Sequence, residues 1–235
     1  MEYLPNGFTL NIPAGAFPLS TDSMALAHFV SLPRSSRVLD LGSGCGTLGL
    51  LLCAGDENCH VTGIELDKTA HNAALENIDR NDLTGRMESI CADLKNVSGI
   101  FTSGSFSVCV SNPPYFSGGI SQRLPNARQE ISCSLSDLMS AAGHALKFGG
   151  DFFLVHKPER LAEIIALGAG QKLEAKRLLL LRHRENGPVS LVLLQLRKGA
   201  KPGLKLEEAA LFDCNGEPTD HYKNIYHLNS FQTGG

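Results

Sequence analysis

The amino-acid sequence predicts an α/β protein with a mainly parallel sheet that closes in an antiparallel hairpin. Three observations carry this. Strand-like and helix-like patterns alternate with short connections from about residue 36 to 168, as successive βαβ units do. An apolar run ending at Leu41 enters Gly42-Ser43-Gly44-Cys45-Gly46, and a helical pattern follows at once. Two apolar runs near the C-terminus, 173–183 and 189–197, are separated only by a turn at Asn186-Gly187-Pro188. That turn leaves no room for a crossover helix, so the two runs pair antiparallel.

The elements follow in order. Residues 8–19 suggest an extended or hairpin entry, and Ser20 or Thr21 caps a helix from about Asp22 to Leu32 that Pro33 halts. A strand over 36–41, a helix over 46–54, a strand over 60–65 and a helix over 67–80 come next. The last places Ala70, Ala74, Leu75 and Ile78 near helical spacing. Strands are expected over 87–91 and 106–111. The polar segment 116–133 contains Gly118-Gly119 and is long enough for an active-site loop. Ser134 opens a helix to about Phe148 with Gly149-Gly150 as its stop, and a strand over 151–156 and a helix over 158–168 lead to the hairpin. The chain reads as one domain over 1–235: an entry hairpin and helix over 1–33, a core over 34–200 and an extension over 201–235.

Composition narrows the class. The 235 residues provide enough material for a substantial core, and the net charge is −3. No apolar run approaches the roughly 18 residues of a membrane span, and the start Met1-Glu2-Tyr3-Leu4-Pro5 lacks a signal peptide's pattern. The seven cysteines form no CxxC pair and mostly lie in apolar runs, as reduced residues of a cytoplasmic protein without a zinc site do. Charge is uneven: residues 1–150 carry 9 basic and 14 acidic side chains, residues 151–235 carry 12 and 10. Within 172–205 nine basic residues accompany only Glu174 and Glu185, a ribbon suited either to a phosphate backbone or to solvated strand ends.

Two motifs carry chemistry. In Val38-Leu39-Asp40-Leu41-Gly42-Ser43-Gly44-Cys45-Gly46 a strand delivers glycines to a helix start, where backbone approaches a ligand closely. Gly44 to Gly49 also satisfies the dinucleotide pattern GxGxxG, with Glu65 at about the ~20-residue distance of a ribose-binding acid. Asp40, however, would sit poorly beside a pyrophosphate and well beside an ammonium group, which favours S-adenosylmethionine over NAD. The second motif is Asn112-Pro113-Pro114-Tyr115, after a buried strand. The Asn side chain accepts from an NH2 group, the prolines fix the backbone so that the Pro113 carbonyl faces the same amine, and Tyr115 offers a stacking face. A rigid turn capping the strand is the plainer alternative.

With both motifs in sequence, the chain resembles class I S-adenosylmethionine methyltransferases over nearly its whole length. The resemblance implies their Rossmann-like fold, a seven-stranded mostly parallel sheet whose last strand is antiparallel. Phe17-Pro18-Leu19-Ser20-Thr21-Asp22, the Asn-Pro-Pro-Tyr element and Ala127-Arg128-Gln129-Glu130 resemble a bacterial branch, the tRNA adenine-N6 methyltransferases that modify the adenosine beside the valine-tRNA anticodon. On that resemblance, Asp40 with the backbone of Gly42, Gly44 and Gly46 holds the methionine end of the cofactor, and Glu65 accepts from the ribose hydroxyls. Asp93 accepts from the cofactor's adenine amine. Asp22 or Thr21 closes over the methionine end, or serves only as a helix cap. Asn112, Pro113, Pro114 and Tyr115 form the catalytic element, with Phe116, Arg123 and Arg128 on the tRNA. His144 and His156 are expected as partly buried structural residues. Two rival functions remain open: glutamine-N5 protein methylation, whose amide is also a planar NH2, and a non-catalytic cofactor-binding module that docks RNA or protein.

Overall fold

A computed structural model describes residues 2–4, 7–13, 18–114 and 133–226. Tyr115, Phe116, Arg123 and Arg128 lie outside these residues, as does most of the expected loop over 116–133.

The N-terminal entry is a short antiparallel pair, β1 (Glu2–Tyr3) and β2 (Thr9–Leu10). Helix α1 (Thr21–Phe29) follows, with Ser20 Oγ accepting the Ser23 N–H at 3.3 Å as its cap. The core then runs β3 (Arg37–Leu41), α2 (Thr47–Gly55), β4 (His60–Glu65), α3 (Lys68–Arg80) and β5 (Met87–Cys91). Helix α4 (Val97–Ile100) leads to β6 (Phe106–Ser111). After the undescribed segment come α5 (Leu135–Ala145), β7 (Leu146–His156), α6 (Leu161–Gly170), β8 (Leu173–Arg184), β9 (Val189–Lys198), β10 (Lys205–Phe212) and α7 (Asp220–Tyr226). Among the described residues no helix is long and apolar enough to cross a membrane.

Eight strands form one sheet in the order β10-β8-β9-β7-β6-β3-β4-β5. Only β9 is reversed, antiparallel to both β7 and β8, so the expected hairpin is present. Two apolar layers cover the faces. One packs α1 and α2 against the sheet through Met24, Leu26, Leu50 and Phe153. The other packs α5 through Leu138, Met139 and Ala142 against Phe106, Phe152 and Leu154. The doubly covered central strands explain the near-continuous apolar runs Val108-Cys109-Val110 and Phe152-Phe153-Leu154-Val155, all fully buried.

The expected seven strands are eight. Strand β10 extends the sheet beyond β8, parallel to it, with Lys205 opposite Arg177 and Phe212 opposite Arg184. Its Glu207-Glu208 pair and its alanines are poor strand formers, so the pattern gave no strand there. Cross-strand partners supply the missing preference: Glu207 meets Arg177 at 3.5 Å and Glu208 meets Arg182 at 3.3 Å. The same contacts correct the basic ribbon. Arg177, Arg182 and Lys205 face those two glutamates, and Arg197 pairs with the buried Asp151 at 2.8 Å. Four of the ribbon's nine basic residues thus have carboxylate partners within the chain.

Two further boundaries shift. The helix opened by Ser134 ends at Ala145, and β7 begins at once, because Leu146 is fully buried and pairs with Phe106. Gly149 and Gly150 sit inside that strand, where the register with β6 shifts, instead of stopping a helix. On α3 the buried face is Ala70, Ala73, Ala74, Asn77 and Ile78, while Leu75 is exposed.

Candidate functional site

The C-terminal ends of β3, β4 and β6 and the first turn of α1 converge on one cleft of about 1190 Å³. This is the edge of an open parallel sheet where the strand order reverses and ligands bind. Of the expected cofactor residues, Asp22, Asp40, Gly42, Gly44, Glu65 and Asp93 all line it, and so do Asn112, Pro113 and Pro114.

Asp40 is at the heart of the cleft. It is 1% exposed, and neither carboxylate oxygen has a partner among the described residues. Burial, with the nearby Glu65 charge, pushes its carboxyl up to about 8. A buried carboxylate without partners is costly, and a cation in the cleft would offset that cost. The donor set therefore fits the ammonium of a methionine moiety. The turn beside it is held open by backbone bonds: Gly42 and Ser43 N–H both donate to the Ile64 carbonyl at 3.0 Å. Gly42 and Gly44 have φ of +76° and +57°, and a Cβ on either would point into open space.

Glu65 ends β4 and reaches back over the turn. Its Oε2 accepts from Gly44 N–H at 2.8 Å and its Oε1 from Asp67 N–H at 2.7 Å. Each oxygen keeps a second lone pair for a hydroxyl. Asp67 caps α3 by accepting from Ala70 N–H at 2.8 Å. Asp93 accepts from Lys95 N–H at 2.9 Å and meets Lys95 Nζ at 3.3 Å, so in this structure it caps a turn at the cleft's edge. Gly46 differs from its expectation. It is not part of the cleft lining, its φ is +86°, and a Cβ there would lie 2.8 Å from Met87 Cε, so it serves the packing of α2.

Asn112 stands at the tip of β6. Its Nδ2 donates to Ser23 Oγ on α1 at 2.9 Å. The preceding Ser111 Oγ donates to the Leu41 carbonyl at 2.7 Å, which ties the tips of β6 and β3 together. Sequence reasoning missed Ser23, because no spacing links residues 89 apart. It also missed Asn77, fully buried on α3, whose Nδ2 donates to the Cys45 carbonyl at 3.0 Å and to Asn11 O at 2.9 Å. That side chain stitches the glycine turn to the N-terminal segment. A buried polar residue on an otherwise alanine-rich helix face was the available signal.

The far wall carries His156, Arg160 and Glu163. His156 is 3% exposed, more buried than expected, and its Nδ1 accepts from Lys157 N–H at 2.8 Å. Burial lowers its pKa, which keeps the imidazole neutral at neutral pH with its proton on Nε2. Its place at the end of β7, on the ligand-binding edge, was the signal for it. His144 packs away from the cleft, its Nε2 on the Phe101 carbonyl at 2.9 Å. Cys45 lines the cleft, but burial raises its thiol, so it acts as a small packing residue. Among the described residues no group of His, Cys, Asp and Glu could hold a metal ion.

The strand order, the single reversed strand and the glycine turn under a buried acid define a class I methyltransferase. A model of the family described as methyltransferase small domain matches residues 19–165, and the chain belongs to that family. Its relatives include proteins named tRNA1(Val) (adenine(37)-N6)-methyltransferase. The one from Bacteroides fragilis is 30% identical over 177 residues, 74% of each chain. The one from Dickeya chrysanthemi is 30% identical over 190 residues, 79% of this chain and 75% of its own. Among solved structures, a predicted O-methyltransferase from Agrobacterium tumefaciens superposes with a TM-score of 0.75 at 22% identity, covering 89% of this chain and 97% of that one. A geranyl diphosphate C-methyltransferase from Streptomyces coelicolor aligns at 0.57 and 13% identity over 74% of this chain and 77% of its own. At these identities the structures speak to the fold.

Proposed function

We propose that this chain transfers the methyl group of S-adenosylmethionine to the exocyclic N6 amine of an adenine in tRNA, in the cytoplasm. The observation that carries the reading is the shared cleft: Asn112 and Pro113 at the tip of β6 line the same cavity as Asp40 at the tip of β3, whose oxygens have no partner among the described residues. An amine-gripping amide and an ammonium-binding acid on adjacent strands suit a methyl donor and an amine acceptor. The names and coverage of the relatives support adenine in tRNA as the acceptor.

S-adenosylmethionine, when bound, supplies a methyl group already activated by its sulfonium. The chain's task is alignment and electrostatics. Asp40 would hold the ammonium, with the Gly42 and Gly44 backbone and Asp22 around it. Glu65 would accept from the ribose hydroxyls and Asp93 from the adenine amine. The acceptor amine's lone pair is delocalised into its ring. Hydrogen bonds to the Asn112 oxygen and the Pro113 carbonyl favour the geometry in which that pair is localised, so they strengthen toward the transition state. The methylated amine is acidic enough to lose its proton to water, which asks no general base of the chain. Tyr115 and Phe116 would stack the splayed base and offset its unstacking, about a few kcal/mol. Arg123 and Arg128 would meet phosphates, since Arg177, Arg182, Arg197 and Lys205 already have carboxylate partners.

The test is incubation of the protein with radiolabelled S-adenosylmethionine and two pools, total tRNA lacking adenine-N6 methylation and total protein. Label that digests to N6-methyladenosine supports the reading. Label in protein alone moves the function to glutamine-N5 methylation. No label in either pool, with cofactor bound, leaves a binding module.

A further inference from the structure

The start of α1 does more than cap a helix. Ser20 Oγ accepts from Ser23 N–H at 3.3 Å, and the two hydroxyl oxygens lie 3.5 Å apart. Ser23 is 7% exposed and lines the cleft. Its Oγ receives Asn112 Nδ2 at 2.9 Å across 89 residues of sequence. An asparagine amide presents a donor on one side and an acceptor on the other, and a half-turn about its last bond exchanges them. Gripping an acceptor's NH2 requires the oxygen to face the substrate. With Nδ2 bonded to Ser23 Oγ, the amide oxygen is left on the opposite side of the group, and the bond ties the side chain to α1.

We infer that Ser23 is a positioning residue for methyl transfer: its hydroxyl holds the Asn112 amide with Nδ2 toward α1, which turns Oδ1 away from α1 and toward the acceptor amine. The inference rests on the reading of Asn112 proposed above. It adds that the catalytic geometry is built from two distant parts of the chain. The tip of β6 supplies the amide and α1 supplies its orientation. Helix α1 is itself braced at its first residue, where the Thr21 hydroxyl meets the Tyr226 hydroxyl of α7 at 2.8 Å. The Ser23 hydroxyl oxygen carries two lone pairs, one of which receives Asn112 Nδ2.

The experiment compares wild type, Ser23→Ala, Asn112→Ala and the double variant for tRNA methylation and for S-adenosylmethionine affinity, with the side-chain amide resonances of Asn112 followed by 15N NMR. Ser23→Ala is expected to lower kcat about 10- to 100-fold, the scale of a misplaced reacting group, with cofactor affinity unchanged. In the Asn112→Ala background the same change is expected to cost less than about twofold, because a residue acting only through Asn112 has nothing left to position. The Asn112 amide resonances should move in Ser23→Ala. An unchanged kcat in Ser23→Ala, or losses that multiply in the double variant, overturns the inference. If the wild type methylates no tRNA, the proposed function fails by itself. The amide resonances need no substrate, and unmoved resonances in Ser23→Ala would then overturn the Ser23 contact independently.

Discussion

The backbone N–H of Gly44 donates to Glu65 Oε2 at 2.8 Å, so the acid at the tip of β4 holds the glycine turn at the tip of β3. The two residues lie 21 apart in sequence and meet because β3 and β4 are parallel neighbours, with Leu41 opposite Ile64. One carboxylate thus shapes the turn and, in the function proposed above, offers acceptors to a ribose.

That double duty predicts the effect of Glu65→Ala. Losing charge-assisted hydrogen bonds costs about 1.5–3 kcal/mol, so the Kd for S-adenosylmethionine should rise roughly 10- to 100-fold. At saturating cofactor kcat should change far less. Calorimetric titration and initial rates check both, and an unaltered Kd would remove Glu65 from the cofactor site.

Asn112→Ala separates chemistry from cofactor binding. The methyl-transfer rate should fall on the order of 10²–10³-fold, the usual loss for removal of one preorganised transition-state contact. Affinity for S-adenosylmethionine should stay within about twofold, since Asp40 and Glu65 are untouched. A single-turnover assay with a binding isotherm decides this.

Asp40 gives a pH signature with a definite sign. Its carboxyl is pushed from 3.8 to about 8 by burial and Glu65, so between those values the folded chain holds a proton that the unfolded chain has released. The destabilisation is therefore absent below the unfolded value, grows as pH rises through the window and is complete above the folded one. Its slope approaches ~1.4 kcal/mol per pH unit. Urea denaturation from pH 5 to 8 should show falling stability without cofactor, and Asp40→Asn should flatten the trend. At pH 7 an ammonium that ionises Asp40 should drive release of close to one proton, read by calorimetry in buffers of different ionisation enthalpy. Asp40→Asn should bind more weakly and release none.

Gly46→Ala is a prediction about folding. At φ +86° an alanine strains the backbone by about 1–2 kcal/mol, and its Cβ would also press on Met87. The Tm should drop by roughly 3–6 °C in a chain of this size. Cofactor affinity, measured below the transition, should change little.

Local pattern carried most of the core. The runs that became β3, β4, β5 and β6 were legible from short apolar stretches between turn and helix signals, and their ends matched to within a residue. Asp40, Gly42, Gly44, Glu65 and Asn112 were legible for a related reason. In βα units the cleft is lined from the ends of the strands and the turns just after them, so the place of these residues in sequence is also their place on the sheet edge. Strand β10 was not legible, because its Glu207 and Glu208 become strand residues only beside Arg177 and Arg182.

By itself, then, the sequence determined the α/β class, the glycine turn, the Asn-Pro-Pro-Tyr element and the acids that accompany them, since each is a short-range pattern. Only the tertiary structure decided how those pieces are held. It brought Ser23 to Asn112, Asn77 to Cys45 and Thr21 to Tyr226, left Asp40 without a hydrogen-bond partner among the described residues, set Gly46 against Met87 and paired Arg177, Arg182, Arg197 and Lys205 with carboxylates. These are contacts between residues tens to hundreds of positions apart. They exist because burial of two apolar layers fixes where the strands and helices lie, and no local periodicity encodes that arrangement.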